Sequence, residues 1–304
     1  MSPARRLAVA AALAVTAAGC GLGAGPSSHG TATLTVTRDY GAQHVASATE
    51  DDPAASETVL RFLDRNAHIT TRYGGGFVQS INRLAGAEDG GRRFDWFFYV
   101  NGIESPTGAT QVTVRGGDRV WWDYRDWTSA MSVPAVVGSW PQPFAAAKAP
   151  TTVDCAGAGA PCADVRASLE HAGVSAKVVK GVAPSNGPRV LVGPWGSVRA
   201  DAAAHQLERA PSTSGVFARF DAHGDLELLR ADGTVGQHAE PGTALVAAVR
   251  EGEGSPTWVV TSARAAGVAR AAQRLDPTDL TDHYAIAAFR DAVVPLPLSP
   301  GGAA

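Results

Sequence analysis

The chain has 304 residues, enough for about two domains, and 45% of them are hydrophobic against 18% charged, so a packed interior is expected and wholesale disorder is excluded. The formal charge is −3, and Arg and Lys do not cluster beyond the first few residues. That argues against nucleic acid as a partner, because neutralising phosphates needs a basic patch.

Residues 1–19 have the layout of a signal peptide. Arg5 and Arg6 supply the positive start, and residues 7–18 a short run of small apolar residues, too short to span a bilayer. The run ends in Thr16-Ala17-Ala18-Gly19-Cys20, which resembles a bacterial lipobox with Ala17 where Leu is usual. The alternative is an ordinary secretory signal cleaved near Ala18. Either way an extracytoplasmic protein is expected, and lipid on Cys20 would hold it to the outer face of the cell membrane. Residues 20–30 are rich in Gly, Ser and Pro and read as a tether.

Residues 31–37 (TATLTVT) alternate with period two and predict a strand. Residues 39–52 are polar and irregular. Residues 56–66 predict a helix capped by Ser56, with Val59, Leu60, Phe62 and Leu63 at helical spacing. Three glycines at 74–76 break the chain, and residues 77–84 alternate again. Strands are predicted at 94–100, 111–114 and 120–124, with tight turns at Asn101-Gly102 and Gly116-Gly117-Asp118. Strand, helix, then several short strands predict a small α+β domain of the β-grasp type over residues 31–127.

Residues 128–150 carry Pro134, Pro141, Pro143 and Pro150 and read as a Pro-rich linker, with Trp140 and Phe144 able to pack against a neighbouring domain. From 151 to 304 strands and helices alternate, predicting a separate α/β domain, with a hairpin turning at Asp221 to Asp225. Within it Cys155 and Cys162 are separated by six small, flexible residues. In an oxidising compartment they are expected to form a disulfide. A metal or redox pair is the alternative, but no further Cys or His stands at ligand spacing and the motif is not C-x-x-C.

No catalytic constellation is present: no G-x-S-x-G, H-E-x-x-H, phosphate-binding loop or G-x-G-x-x-G after a strand. His68, His171, His205 and His283 are scattered and read as surface or satisfied polar residues. Gly193-Pro194-Trp195-Gly196 falls where α/β folds bind ligands, yet Trp195 covering the sheet is the simpler reading. Ser262 reads as a helix cap rather than a nucleophile. A non-enzyme with no required cofactor is expected.

Trp96 to Tyr124 holds more aromatics than a small domain needs. Trp96, Phe98 and Val100 share one face of a strand, with Phe97 and Tyr99 on the other. Trp121 and Trp122 likewise oppose each other. One helix covers one face, so the second is exposed, buried against the second domain, or ligand-binding.

Several motifs in this region match a known family in order and spacing: Thr58-Val59-Leu60, Ile69-Thr70, Tyr73-Gly74, Gly76-Phe77-Val78-Gln79-Ser80-Ile81, Trp96, Tyr99-Val100-Asn101-Gly102, Gly108-Ala109 and Gly117-Asp118-Arg119-Val120-Trp121. Over about one third of the chain the sequence resembles the transcobalamin-like C-terminal domain, the small β-rich half of vertebrate cobalamin carriers. The resemblance implies a β-grasp-like fold and ligand binding, with cobalamin or another corrinoid as the ligand class. It implies that Tyr73, Phe77, Gln79, Ser80, Ile81, Trp96, Phe98 and Asn101 face that ligand. The carriers close their pocket with a helical barrel that this chain lacks, so a separate helical-barrel protein or a membrane transporter is the implied partner. The alternative is a non-catalytic cell-surface module that docks another protein.

Overall fold

The computed structural model describes residues 27–157, 159–182 and 186–299. The expected signal peptide, the expected lipidation residue Cys20 and residues 21–26 of the expected tether lie outside them.

The fold is mixed α+β, strand-rich, and built on several sheets. In the N-terminal unit, strand β1 (Thr31–Arg38) is followed by β2 (Gln43–Asp51) and helix α1 (Val59–Asn66). A hairpin of β3 (Ile69–Arg72) and β4 (Phe77–Ile81) then leads to the short β5 (Leu84–Ala85) and β6 (Ala87–Asp89). The long β7 (Arg92–Val100), the short β8 (Ile103–Glu104) and β9 (Arg119–Asp126) complete the unit. The main sheet runs β2-β1-β9-β7-β6, with β8 also on β7. Strands β1 and β9 lie parallel at its centre and the other pairs are antiparallel. Strands β3, β4 and β5 form a separate three-stranded sheet.

Three local expectations change. Residues 43–51 are a strand although they read as irregular: β2 is a sheet edge with mostly exposed or half-buried side chains, so no apolar face marks it. Helix α1 is capped by Thr58 rather than Ser56, the Thr58 hydroxyl accepting from Arg61 N at 3.3 Å. Residues 111–114 join no sheet. Their backbone meets the start of α1 instead: Val112 O accepts from Val59 N at 2.9 Å and Ala109 O from Leu60 N at 3.0 Å. This segment therefore satisfies helix N–H groups that have no partner inside the helix. The Asn101-Gly102 turn forms as expected, with φ of 56° and 75°, between paired Val100 and Ile103.

The C-terminal unit opens with β10 (Thr151–Cys155), helix α2 (Gly159–His171), β11 (Ala176–Lys180) and β12 (Arg189–Pro194). Short helices α3 (Trp195–Val198), α4 (Ala202–His205) and α5 (Pro211–Ser214) follow. A small sheet of β13 (Ala218–Phe220), β14 (Leu226–Leu229) and β15 (Val235–His238) carries the expected hairpin. Then come β16 (Ala244–Val249), β17 (Thr257–Ser262), α6 (Ala265–Ala272), α7 (Pro277–Leu280), β18 (Ala285–Ala288) and β19 (Val293–Leu296). The large sheet runs β11-β10-β12-β17-β16-β18-β19. Its first four strands are parallel, and those from β16 onward pair antiparallel. Cys155, at the end of β10, is disulfide-bonded to Cys162 in α2.

The alternation along β7 and β9 settles where the aromatic surplus goes. Trp96, Val120, Trp122 and Tyr124 pack with Phe62 and Leu63 of α1 in one core, joined by half-buried Phe98. On the opposite face, Tyr99 and Trp121 belong to a second core together with Trp195, Phe217 and Tyr284 of the C-terminal unit. The second face is therefore a seam between the two units.

Residues 128–150 run along this seam, with Val133, Val136, Val137, Trp140 and Phe144 buried. Trp140 and Phe144 pack on Trp258, their ring centroids 5.6 and 5.0 Å from it. Arg125 ties this segment down. Its buried guanidinium lies 3.7 Å from the Phe97 ring centroid and donates to Ala130 O at 2.7 Å and Met131 O at 3.0 Å. At one point the two units meet backbone to backbone. Gly41 has φ +85°, and a Cβ there would stand 1.7 Å from Asp282 O.

Candidate functional site

The eight residues implied as ligand-facing separate into two groups. Ile81 is fully buried in the α1 core. Ser80 is buried, its hydroxyl 2.6 Å from that of Thr70. Trp96 is buried, and its indole N–H donates to Leu84 O at 2.8 Å. Phe98 stacks on Trp122 with centroids 4.8 Å apart. Asn101 is a turn residue: its amide donates to Asp118 at 2.7 Å and its carbonyl accepts from Arg119 N at 2.9 Å. All five make contacts within the fold: Ser80, Ile81 and Trp96 are buried, while Phe98 and Asn101 are half-buried.

Tyr73, Phe77 and Gln79 form the other group. Tyr73 is 86% exposed and Phe77 39% exposed, their rings edge-to-face with centroids 6.4 Å apart. Tyr73 has φ of 54° and begins a tight turn with Gly74 at φ 70°, which turns the β3–β4 hairpin and projects its aromatic tip. Phe77 and Gln79 then line a groove of about 350 Å3 with Arg72, Arg93, Asp95 and Trp127. Arg93 lies over the Trp127 ring at 3.9 Å from its centroid. Burial raises the pKa of Asp95, which accepts from Trp96 N at 2.9 Å. The groove thus combines an apolar edge with two guanidinium groups and a partly desolvated carboxyl. Sequence reasoning missed Arg93, Asp95 and Trp127. The alternation of β7 could have placed Arg93 and Asp95 on one face.

A second group was also missed, because it forms only where the units meet. Asp123 is fully buried in the seam. Its Oδ1 accepts from the Thr37 hydroxyl at 2.5 Å and Gly41 N at 3.1 Å; its Oδ2 accepts from Tyr40 N and the Tyr284 hydroxyl, both at 3.0 Å. The Trp121 indole donates to Thr37 Oγ1 at 2.7 Å, and the Tyr99 hydroxyl to that of Tyr284 at 3.3 Å. Every proton in this chain points toward Asp123, an arrangement suited to a carboxylate. Burial nevertheless pushes its pKa up to about 6, against these hydrogen bonds.

The C-terminal unit presents less chemistry. Ser262 is buried, donating to Thr243 O at 2.8 Å and accepting from Arg264 N at 3.3 Å. Trp195 stacks on Phe220 with centroids 3.9 Å apart and covers the sheet. His283 is half-buried rather than superficial, and burial lowers its pKa. Among the described residues no group of three or more His, Cys, Asp and Glu could hold a metal ion, and no helix is long and apolar enough to cross a membrane.

Residues 56–126 match DUF4430, a family described as a domain of unknown function. The DUF4430 match begins just before α1 and ends with β9, so it contains the hairpin and every groove residue named above except Trp127, but not β1 or β2. A crystal structure from Ruminococcus gnavus ATCC 29149, described as "a putative metal binding protein", aligns over 32% of this chain and 98% of its own, at 17% identity and a TM-score of 0.25. No curated protein matches the chain.

Proposed function

We propose that this is a non-catalytic, extracytoplasmic binding protein, held at the membrane by lipid on Cys20, whose N-terminal unit takes a corrinoid or another small ligand for an uptake system. The observation that carries the reading is the exposed Tyr73–Phe77 pair beside the groove of Gln79, Arg93 and Trp127. Solvent-exposed aromatics on a projecting hairpin contribute nothing to the core. They suit contact with the edge of a large planar ligand. The reading of the unit as a β-grasp domain of the transcobalamin-like kind is supported by its sheet, which holds its first and last strands parallel at the centre and packs α1 on one face. A groove of about 350 Å3 takes only one edge of a corrinoid, in keeping with a separate helical partner that would close over the rest.

Titration of the purified protein with cobalamin and with cobinamide, followed by absorbance and calorimetry, tests this. Saturable binding is expected, weakened about tenfold or more in a Tyr73→Ser/Phe77→Ser variant, whose two rings would each lose roughly 1 kcal/mol of apolar contact. No heat and no spectral change at high micromolar ligand would overturn the corrinoid reading.

One observation favours the protein-docking alternative. The Tyr99–Trp121 face is filled by the C-terminal unit, which leaves the hairpin tip as a compact exposed aromatic spot that another protein could cover.

A further inference from the structure

A second cleft, of about 590 Å3, opens between the two units at the far end of β7 and β9 from the Asn101 turn. This volume lies within the range of small-molecule sites. One wall is apolar: Val294, Pro295, Pro297 and Leu298, from β19 and the residues after it, with Ala231 beside them. The opposite wall is the end of the N-terminal sheet, with Phe94, Arg92, Asp126, Asp39 and Gln43.

The polar groups of that wall are unequally occupied. Both oxygens of Asp126 are taken: Oδ1 accepts from the backbone and hydroxyl of Thr128, and Oδ2 from Arg92 Nε at 2.8 Å. Asp39 accepts from Gln43 Nε2 at 2.7 Å, and Gln43 accepts from Arg38. Arg92 differs. Its Nε is fixed by Asp126, and its guanidinium lies 4.7 Å from the Phe94 ring centroid, yet its terminal nitrogens make no hydrogen bond to a described residue. The fork is held in place with its two outer donors open, which is the arrangement that receives a carboxylate or sulfonate through two parallel bonds. Charge does not oppose an anion. Arg38 and Arg92 balance Asp39 and Asp126, and His283, which also lines the cleft, stays neutral because burial lowers its pKa.

We propose that this cleft binds a small amphiphilic organic acid, an aromatic or aliphatic body against the Val294–Leu298 wall with its anionic group on the outer nitrogens of Arg92. The cleft shares Phe94 with the hairpin groove but is otherwise lined by different residues, and it takes a different class of ligand.

Fluorescence titration of the intact protein with anilinonaphthalene sulfonate, beside its uncharged counterpart N-phenylnaphthylamine, tests the proposal. One saturable site is expected for each probe. Arg92→Gln should weaken the sulfonate by about ten- to a hundred-fold, as expected for losing a charge-assisted pair, while the uncharged probe changes by less than about twofold. Ala231→Trp, which fills the cleft, should abolish both; Ser299→Trp serves the same end if the first variant does not give a cooperative melt. Tyr73→Ser/Phe77→Ser should leave both probes bound, which separates this site from the hairpin. An unchanged sulfonate affinity in Arg92→Gln, unchanged binding in the filled variant, or loss of binding in the hairpin variant would each overturn it.

Discussion

Replacing Tyr284 with Phe removes a single oxygen atom from the seam and leaves the ring with its edge contacts to Tyr40, Tyr99 and Trp121. That oxygen donates to Asp123 at 3.0 Å and accepts from Tyr99 at 3.3 Å. A hydrogen bond to a charged, buried acceptor is worth about 1.5–3 kcal/mol, and the Tyr99 hydroxyl left without its partner adds to the cost. A loss of about 2–4 kcal/mol is therefore expected at pH 7. In a chain of this size that corresponds to roughly 4–12 °C in Tm, at about 2–3 °C per kcal/mol. Thermal melts by circular dichroism, with urea unfolding at constant m, measure it directly. The bonded seam also demands that both units melt together, because Asp123 belongs to one and Tyr284 to the other. A change below about 0.5 kcal/mol, or a wild-type melt in two separate steps, would refute the account of the seam as a closed, desolvated interface.

Two further outcomes follow from the same structure. Asp123 has its folded pKa raised to about 6, above the ordinary carboxylate value of 3.8, so its neutral form is favoured in the fold. Its contribution is fully present below about pH 4 and is lost as pH rises through about 6, amounting to about 3 kcal/mol over that window. Urea unfolding of wild type and Asp123→Asn at pH 4.5 and 7.5 should show this slope only in the wild type; equal slopes would exclude Asp123 as its source. Reduction, or a Cys155→Ser/Cys162→Ser variant, opens a loop with a sequence separation of 7 and should cost about 2.5 kcal/mol on the chain-entropy account. Unfolding with and without reductant checks it, and no difference would mean that the bond does not restrain the unfolded chain.

Strand alternation on β7 and β9 was legible because period two is a local property: it divided Trp96 and Phe98 from Tyr99, and Trp121 from Trp122. The Asn101-Gly102 turn and the Cys155–Cys162 bond were legible for the same reason, since short-range geometry dictates both. What covered each face was not, because Tyr284 lies 161 residues from Asp123 and nothing local announces their meeting. The polar edge strand β2 was invisible for want of an apolar face. The Pro-rich stretch at 128–150 read as a linker, yet Arg125 and Trp258 hold it against both units. Of the residues implied by family resemblance, Phe77 and Gln79 line an accessible groove with Tyr73 exposed beside it, while Ser80, Ile81 and Trp96 serve the core. A motif carries both kinds of residue without distinguishing them.

The parallel pairing of β1 with β9 also sets an order in time. The strand made first has its centre-sheet partner only once residue 126 is available, and the face that carries Trp121 must then wait for Tyr284. Emerging from its N-terminus, the chain has β1 paired only with β2 until β9 is made, and the Trp121 face stays bare until nearly the whole length is present. Contacts of such long range slow folding and leave apolar surface open meanwhile. The second face of the N-terminal sheet is thus closed by residues made long after the sheet itself.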